Sequence, residues 1–181
     1  MEVLFATSNE NKVKEANKIG AEYGIKFKQV NLVYEEVRAE SVRKVAEEGA
    51  KYVFSQIKRP IIVEDSGLFI DALNGFPGPY SAFAYHKIGS EGILKLMAGE
   101  KNRGAKFISA IGYADKNGVK VFEGEVEGLI VDSLRGDKGF GYDPIFQPIG
   151  FETTFAQDVK VKNQISHRRK STQALCQSLL Q

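Results

Sequence analysis

Two adjacent carboxylates, Glu64 and Asp65, directly follow three β-branched apolar residues at positions 61–63. A short apolar run of this kind is typical of a buried strand, so the sequence predicts a strand that ends by presenting both acids to solvent. Mg²⁺ is usually held by one or two carboxylates together with substrate phosphates. Glu64, Asp65 and the separate acid Glu36 are therefore candidate ligands, although acids at a strand end or in a loop can also serve solubility alone.

A polar turn near the start of the chain is a candidate phosphate site. Thr7, Ser8 and Asn9 lie between an apolar run at 3–6 and a helical periodicity that begins at Lys12. A helix amino terminus offers free N–H groups and a positive dipole end, and Lys12 adds a full charge. The pattern GxxxxGK[ST] is absent, which disfavours a P-loop kinase or GTPase. An ordinary capped helix is the alternative interpretation.

An aromatic loop is a candidate nucleobase site. Phe140 lies between Gly139 and Gly141, where the backbone allows a close approach to a planar ligand, and Tyr142 follows. Asp143 can accept from a base N–H or hold the loop in shape. The alternative is an aromatic residue that turns inward to the core.

A basic segment begins the last predicted helix. Ser166 is a good capping residue for a helix over 166–180, and His167 and Arg168 lie in its first turn, close after Lys162. The wider segment 160–170 is rich in Lys and Arg. Such a cluster is typical of a phosphate site, of a nucleic-acid patch or of a solvated helix face.

The elements that must position these residues predict an α/β protein. A strand, the polar turn, a helix closed by Gly24 and a strand over 25–33 form a βαβ unit, and a helix over 41–57 follows. The segment 67–79 is rich in Gly and Pro and predicts a shaped loop. Runs at 107–114 and 119–131 predict a hairpin turning at Asn117–Gly118. We expect one domain over 1–181, an elongated mixed β-sheet flanked by helices, with two lobes and a central substrate cleft.

The composition narrows the possible functions. The 181 residues carry a net charge of only +2, so overall charge does not favour a nucleic-acid partner. No apolar run approaches the roughly 20 residues that a membrane span needs, and no secretion signal opens the chain, so we expect a cytoplasmic protein without a membrane partner. The single Cys176 lies among leucines, which favours a buried thiol over a nucleophile.

Taken together, the motifs resemble the inosine triphosphate pyrophosphatase family. The resemblance spans nearly the whole chain and is specific because the motifs occur in the family's order and rough spacing. They are T-x-N-x-x-K at Thr7, Asn9 and Lys12; E-D-S-G-L at 64–68 followed by G-x-P-G-P-Y at 75–80; F-G-Y-D-P at 140–144; and K-N-x-x-S-H-R at 162–168.

The resemblance implies a homodimeric enzyme that hydrolyses the purine nucleotides ITP, dITP and XTP to the monophosphate and pyrophosphate with Mg²⁺. It implies metal binding by Glu36 and Asp65, with Asp65 also the general base for water attack at the α-phosphorus; Glu64 is a second ligand or supports the first. The implied substrate contacts are Thr7, Ser8, Asn9, Lys12, Ser66, Phe140, Gly141, Tyr142, Asp143, Lys162, His167 and Arg168, with Phe140 stacked on the base.

Two other functions remain open on the sequence. The basic segment 160–170 also suits a nucleic-acid-binding module, although that function leaves the acidic motif unexplained. A Maf-like pyrophosphatase that acts on modified pyrimidine nucleotides is a further alternative.

Overall fold

The computed structural model describes residues 1–32, 34 and 36–181. Val33, the predicted last residue of the second strand, lies outside them. Among the described residues the strands form one mixed sheet in the order β2-β1-β3-β5-β6-β7, and β4 pairs with β3. The strands are β1 Glu2–Ala6, β2 Lys26–Val30, β3 Ile61–Ile70, β4 Pro77–Gly78, β5 Gly104–Asp115, β6 Gly118–Ile130 and β7 Phe146–Pro148.

Five α-helices form among the described residues and flank this sheet, so the predicted α/β class with a mixed sheet is confirmed. The broken helix α3 contains Gly89 at a φ of 61°, where the chain leaves helical geometry. The helices are α1 Glu10–Gly20, α2 Val42–Ile57, α3 Ser81–Leu96, α4 Val159–Ile165 and α5 His167–Leu179.

The βαβ unit at the start of the chain is confirmed. Strand β1 pairs in parallel with both β2 and β3, with Leu4 opposite Ile61 in the second pair. The Asn9 side chain caps α1 by accepting from the Asn11 N–H at 3.0 Å. The polar turn therefore follows β1 at the carboxyl edge of three parallel strands.

The prediction that a strand ends at Asp65 and presents its acids to solvent is wrong. Strand β3 continues to Ile70, and Glu64 and Asp65 are only 5% and 9% exposed. The strand continues because its second half pairs with β4, where Leu68 lies opposite Gly78. Most of the segment 67–79, which was predicted as a loop, therefore forms the end of β3, a short 3₁₀ helix at Asp71–Leu73 and the strand β4.

The predicted hairpin is confirmed, since β5 and β6 are joined by two residues and are neighbours in the sheet. The final helix predicted over 166–180 is confirmed as α5, which begins directly after Ser166. A separate helix, α4, precedes it, and the Asp158 carboxylate caps α4 by accepting from the Lys160 and Val161 N–H groups at 3.0 Å. Ser166 ends α4, and α5 begins at His167.

The chain divides into two compact units. The first unit comprises Met1–Asp65, Ser109–Gly124 and His167–Gln181; the second comprises Ser66–Ile108 and Glu125–Ser166. The first has apolar clusters on β1 and β3, around Phe5 and Ile62 and around Leu4 and Ile61. The second has one cluster, which includes the buried ring of Phe146. The expected two lobes and cleft remain predictions.

Two expectations from the composition concern membrane-spanning helices and the state of Cys176. None of the helices that the described residues form combines the length and the apolar character that a bilayer crossing requires. Cys176 is fully buried in the first unit, and burial raises the pKa of its thiol to about 11, with a smaller contribution from the charge of Glu22. The interpretation of Cys176 as a buried thiol is confirmed, and the raised pKa disfavours the reactive thiolate.

Candidate active site

The polar turn after β1 is held in a defined shape by hydrogen bonds within the first unit. The Thr7 N–H donates to the Val30 carbonyl at 3.3 Å, and the Gln29 amide donates to the Thr7 carbonyl at 2.9 Å. The Thr7 hydroxyl accepts from the Asn9 N–H at 3.1 Å, and Ser8 is exposed. The turn is therefore fixed before any ligand binds, which suits a site that presents N–H groups to an anion.

Lys12 extends from the first turn of α1 to strand β3. Its ammonium lies 2.8 Å from the Glu64 carboxylate and donates to the Glu64 carbonyl at 2.9 Å. The Lys12 side chain keeps 16% of its surface exposed, whereas that of Glu64 keeps 1%. The structure thus joins two of the sequence motifs, T-x-N-x-x-K and E-D-S-G-L, through one ion pair.

Glu64 is also bound from its other side. Its Oε1 accepts from the Arg168 guanidinium at 3.1 Å and from the Ser109 hydroxyl at 2.8 Å. Arg168 also donates to Glu15 at 2.6 Å. Burial alone would raise the pKa of Glu64, but the charges of Arg168 and Lys12 outweigh it and hold that pKa well below its ordinary value. Glu64 is therefore a carboxylate anchored by two cations.

Asp65 and Glu36 have a common neighbour in Tyr34, a residue that the sequence analysis missed. Burial raises the pKa of the Tyr34 hydroxyl above its ordinary value, and the negative charges of Glu36 and then Asp65 add to the rise. Both carboxylates therefore lie within electrostatic range of one phenol. Gly49 of α2 makes room for this phenol, because a Cβ there would lie 3.0 Å from the Tyr34 hydroxyl.

The aromatic loop of the second unit is organised by a buried ion pair. Lys162 and Asp143 are each 2% exposed, and the Lys162 ammonium donates to Asp143 Oδ2 at 2.7 Å. The same oxygen accepts from the Phe140 N–H at 2.8 Å, and the Lys162 ammonium lies 4.3 Å from the centre of the Phe140 ring. Of the two roles considered for Asp143, the structure favours that of holding the loop in shape.

Helix α3 supports this loop through residues that the sequence analysis did not single out. The Tyr142 hydroxyl donates to the Ser81 carbonyl at 3.2 Å, and the Tyr85 ring meets the Tyr142 ring edge to face at 5.3 Å. After the break in α3, the Ser90 hydroxyl donates to the Gly141 carbonyl at 3.3 Å. The loop is therefore held both by the hydrogen bond to Asp143 within it and by hydrogen bonds with Ser81 and Ser90 of α3.

The predicted site residues form two sets, one in each unit. Among the described residues no group of three or more His, Cys, Asp and Glu side chains is placed to hold a metal ion, so the candidate metal site consists of two acids near Tyr34. The first set is Thr7, Ser8, Asn9, Lys12, Glu36, Glu64, Asp65, His167 and Arg168; the second is Ser66, Phe140, Gly141, Tyr142, Asp143 and Lys162.

Comparison with known families shows to which family the chain belongs. The model of the Ham1 family matches residues 3–178. The chain belongs to the Ham1 family. Because the match covers all four motifs, the resemblance drawn from the sequence is confirmed.

Relatives with the same overall length support this membership. A dITP/XTP pyrophosphatase of Methanopyrus kandleri is 53% identical over 173 residues, covering 94% of this chain and 92% of the relative. A protein of the same name from Thermococcus kodakarensis is 47% identical over 172 residues, covering 94% and 93% of the two chains.

Solved structures of the Ham1 family share the fold. The Staphylococcus aureus Ham1 protein matches with a TM-score of 0.86 at 30% identity, covering 99% of this chain and 98% of the other. A nucleoside-triphosphatase / dITP/XTP pyrophosphatase of Mycobacterium abscessus matches with a TM-score of 0.76 at 32% identity, covering 97% and 98%. The mixed sheet described above is therefore a Ham1 fold.

The buried pair of Lys162 and Asp143 generates a stability prediction. Lys162→Met leaves the Asp143 carboxylate buried without its cation, so we expect the free energy of unfolding to fall by about 3–5 kcal/mol. The double variant Lys162→Met/Asp143→Asn, which removes both charges, should lose less. Urea denaturation followed by circular dichroism measures both values.

Lys106 provides the matched control, because its ammonium pairs with Glu125 at 3.1 Å with both side chains about two-fifths exposed. Lys106→Met should cost no more than about 1 kcal/mol. Equal stability losses for Lys162→Met and Lys106→Met would contradict the structural role given to the buried pair.

Proposed function

We propose that this protein hydrolyses nucleoside triphosphates to the monophosphate and pyrophosphate, with a preference for ITP, dITP and XTP. Membership of the Ham1 family and the names of its relatives support this activity. The observation that carries the proposal is the contact between Lys12, on the helix after the polar turn, and Glu64, the residue before Asp65. This contact joins the polar turn, a candidate phosphate site, to strand β3, which carries Asp65 as the candidate general base.

The triphosphate is assigned to Thr7, Ser8, Asn9 and Lys12. The turn that contains them lies at the amino end of α1, where the helix dipole attracts an anion. Ser8 is exposed, and Lys12 brings a positive charge that is partly open to solvent. Ser66, half-buried on β3, is a further candidate contact.

Glu36 and Asp65 are assigned to Mg²⁺. Carboxylate oxygens are the ligands that Mg²⁺ prefers, and the two acids lie close enough to Tyr34 for both to raise its pKa. A bound Mg²⁺ supplies charge neutralisation on the phosphate oxygens. Glu64 is the poorer ligand, because its carboxylate is already paired with Lys12 and Arg168 and accepts a hydrogen bond from Ser109.

Asp65 is assigned as the general base. A water oxygen forms the bond to the α-phosphorus, its proton passes to the Asp65 carboxylate, and the bond between the α-phosphorus and the bridging oxygen breaks. Pyrophosphate leaves with the bonding electron pair. Asp65 is 9% exposed, and its low exposure limits the water that can compete for the proton.

The nucleobase is assigned to the loop at Phe140. The Lys162 ammonium lies over the Phe140 ring and helps to hold it, and we assign stacking of the base to this ring. Hypoxanthine and xanthine present a 6-oxo acceptor and an N1–H donor, which reverse the hydrogen-bond pattern of the adenine edge, so the groups that contact this edge decide between them. Each mismatched buried donor or acceptor costs roughly 1–3 kcal/mol, so a few contacts are enough for selection.

His167, a substrate contact implied by the resemblance, is assigned to the purine edge, and it is buried at the first turn of α5. The resemblance implies a substrate contact for Arg168 as well. Its guanidinium contacts Glu15 and Glu64, with its side chain 3% exposed, so these ion pairs favour a role inside the first unit. The homodimer remains a prediction.

The nucleic-acid alternative is weakened by the pairing of the basic segment. Arg168 is buried against two carboxylates, and Arg169 forms two hydrogen bonds to Glu22, at 2.5 and 2.6 Å. Phosphate binding depends on cationic side chains that neutralise the nucleic-acid backbone, and these two are already neutralised. The Maf-like alternative concerns substrate choice and needs a direct assay.

A substrate panel tests the proposed activity. At fixed Mg²⁺ we expect ITP, dITP and XTP to be hydrolysed at least about tenfold more efficiently than ATP, since one mismatched contact of about 1.4 kcal/mol is worth a factor of ten. The products, resolved by anion-exchange chromatography, should be monophosphate and pyrophosphate. Preference for dUTP or methylated pyrimidine triphosphates would favour the Maf-like function, and release of orthophosphate would contradict the proposal.

Replacing Asp65 tests its role as base. Asp65→Asn keeps the size of the side chain and removes the proton acceptor, so kcat on ITP should fall by about 10²–10⁴-fold. The matched control is Asp132→Asn, because the side chain of Asp132 is 90% exposed and lies outside both sets of site residues. The control should keep wild-type turnover. A folded Asp65→Asn variant with near-normal kcat would exclude Asp65 as the base.

A further inference from the structure

We propose that Glu64 is a positioning residue for Lys12: its buried carboxylate and its carbonyl together hold the Lys12 ammonium so that one N–H remains directed to a substrate phosphate. The inference rests on the proposed function and deepens it. It gives Glu64 a role distinct from metal binding.

The first step is the way in which Lys12 is held. Its ammonium meets the Glu64 carboxylate at 2.8 Å and the Glu64 carbonyl at 2.9 Å. Of the three donors of this ammonium, the Glu64 carbonyl accepts one, and the Glu64 carboxylate is the ion-pair partner. Because both groups belong to Glu64, the position of the Lys12 charge is fixed relative to β3 and to the adjacent Asp65.

The second step is the anchoring of Glu64 itself. The oxygen that does not face Lys12 accepts from Arg168 at 3.1 Å and from Ser109 at 2.8 Å. The Ser109 hydroxyl is in turn 2.8 Å from that of Ser171 on α5. These contacts restrict rotation of the Glu64 carboxylate. The Lys12 ammonium is therefore paired with a group that is itself held in place.

The third step is charge balance. Glu64 and Glu15 carry two negative charges, and Lys12 and Arg168 carry two positive charges, so the four side chains are neutral as a set. Lys12 is the cation that combines an ion pair to Glu64 with partial exposure; Arg168 is almost fully buried. A phosphate that approaches this set meets Lys12, whose long side chain is already ordered, and less entropy is lost on binding.

A double-mutant cycle tests whether Glu64 acts through Lys12. Glu64→Gln keeps the shape of the side chain and removes its charge; we expect kcat/KM on ITP to fall by about tenfold or more, mainly through KM. Combined with Lys12→Met, Glu64→Gln should cause no further loss, because the residue on which it acts is gone. Losses that multiply in the double variant would overturn the inference.

Glu22→Gln is the matched control, since Glu22 pairs with Arg169 on the surface of the same unit. It should leave kcat/KM unchanged. Conservative Glu64→Asp, which retains the charge but is one methylene shorter, should recover part of the activity lost in Glu64→Gln. A purely structural role would instead lower the stability of Glu64→Gln without a preferential change in KM.

Acetylation of lysines, followed by peptide mass spectrometry, gives a readout that does not need turnover. Release of Lys12 from the carboxylate in Glu64→Gln should raise its labelling rate several-fold, whereas Lys14, already 69% exposed, should not change. If Glu64→Gln does not fold, Glu64→Asp replaces it: its shorter side chain withdraws the carboxylate from Lys12, so the labelling rate of Lys12 should rise to a smaller extent. An unchanged acetylation rate of Lys12 in the folded variant would overturn the inference, whichever substrates the enzyme hydrolyses. A raised acetylation rate in a protein that does not hydrolyse ITP would count against the proposed function alone.

Discussion

The buried carboxylate of Glu64, held between two cations, is the interaction on which the first unit depends. An ionised carboxylate out of water costs several kcal/mol unless it is paired and hydrogen-bonded. Lys12, Arg168 and Ser109 meet that requirement from three separate parts of the chain. The strand, the first helix and the last helix must therefore come together before the acid can be buried.

This constraint explains why the candidate catalytic groups lie where they do. The ion pair fixes Lys12 to β3, and Asp65 is the next residue along that strand. In the second unit a comparable pair, Lys162 with Asp143, fixes the loop that carries Phe140. Each set of site residues is thus built around one buried ion pair, which orders charged side chains in advance of a ligand.

Local patterns predicted the parts of the fold that depend on neighbours in sequence. The apolar run at 3–6, the helical periodicity that begins at Lys12 and the Asn117–Gly118 turn led to the correct βαβ unit and hairpin. The burial of Glu64 was not predictable in this way, because Arg168 lies 104 residues later and no local signal links the two. Helix α4 was missed for a simpler reason, since its seven residues are too few for a clear period.

The measurement that tests the account most directly is hydrolysis of ITP in water labelled with ¹⁸O, followed by mass spectrometry of both products. Attack by an activated water at the α-phosphorus, with Asp65 as the base, places one ¹⁸O atom in the monophosphate and none in pyrophosphate. Label in pyrophosphate would mean attack at the β-phosphorus, and it would contradict the mechanism proposed for this site.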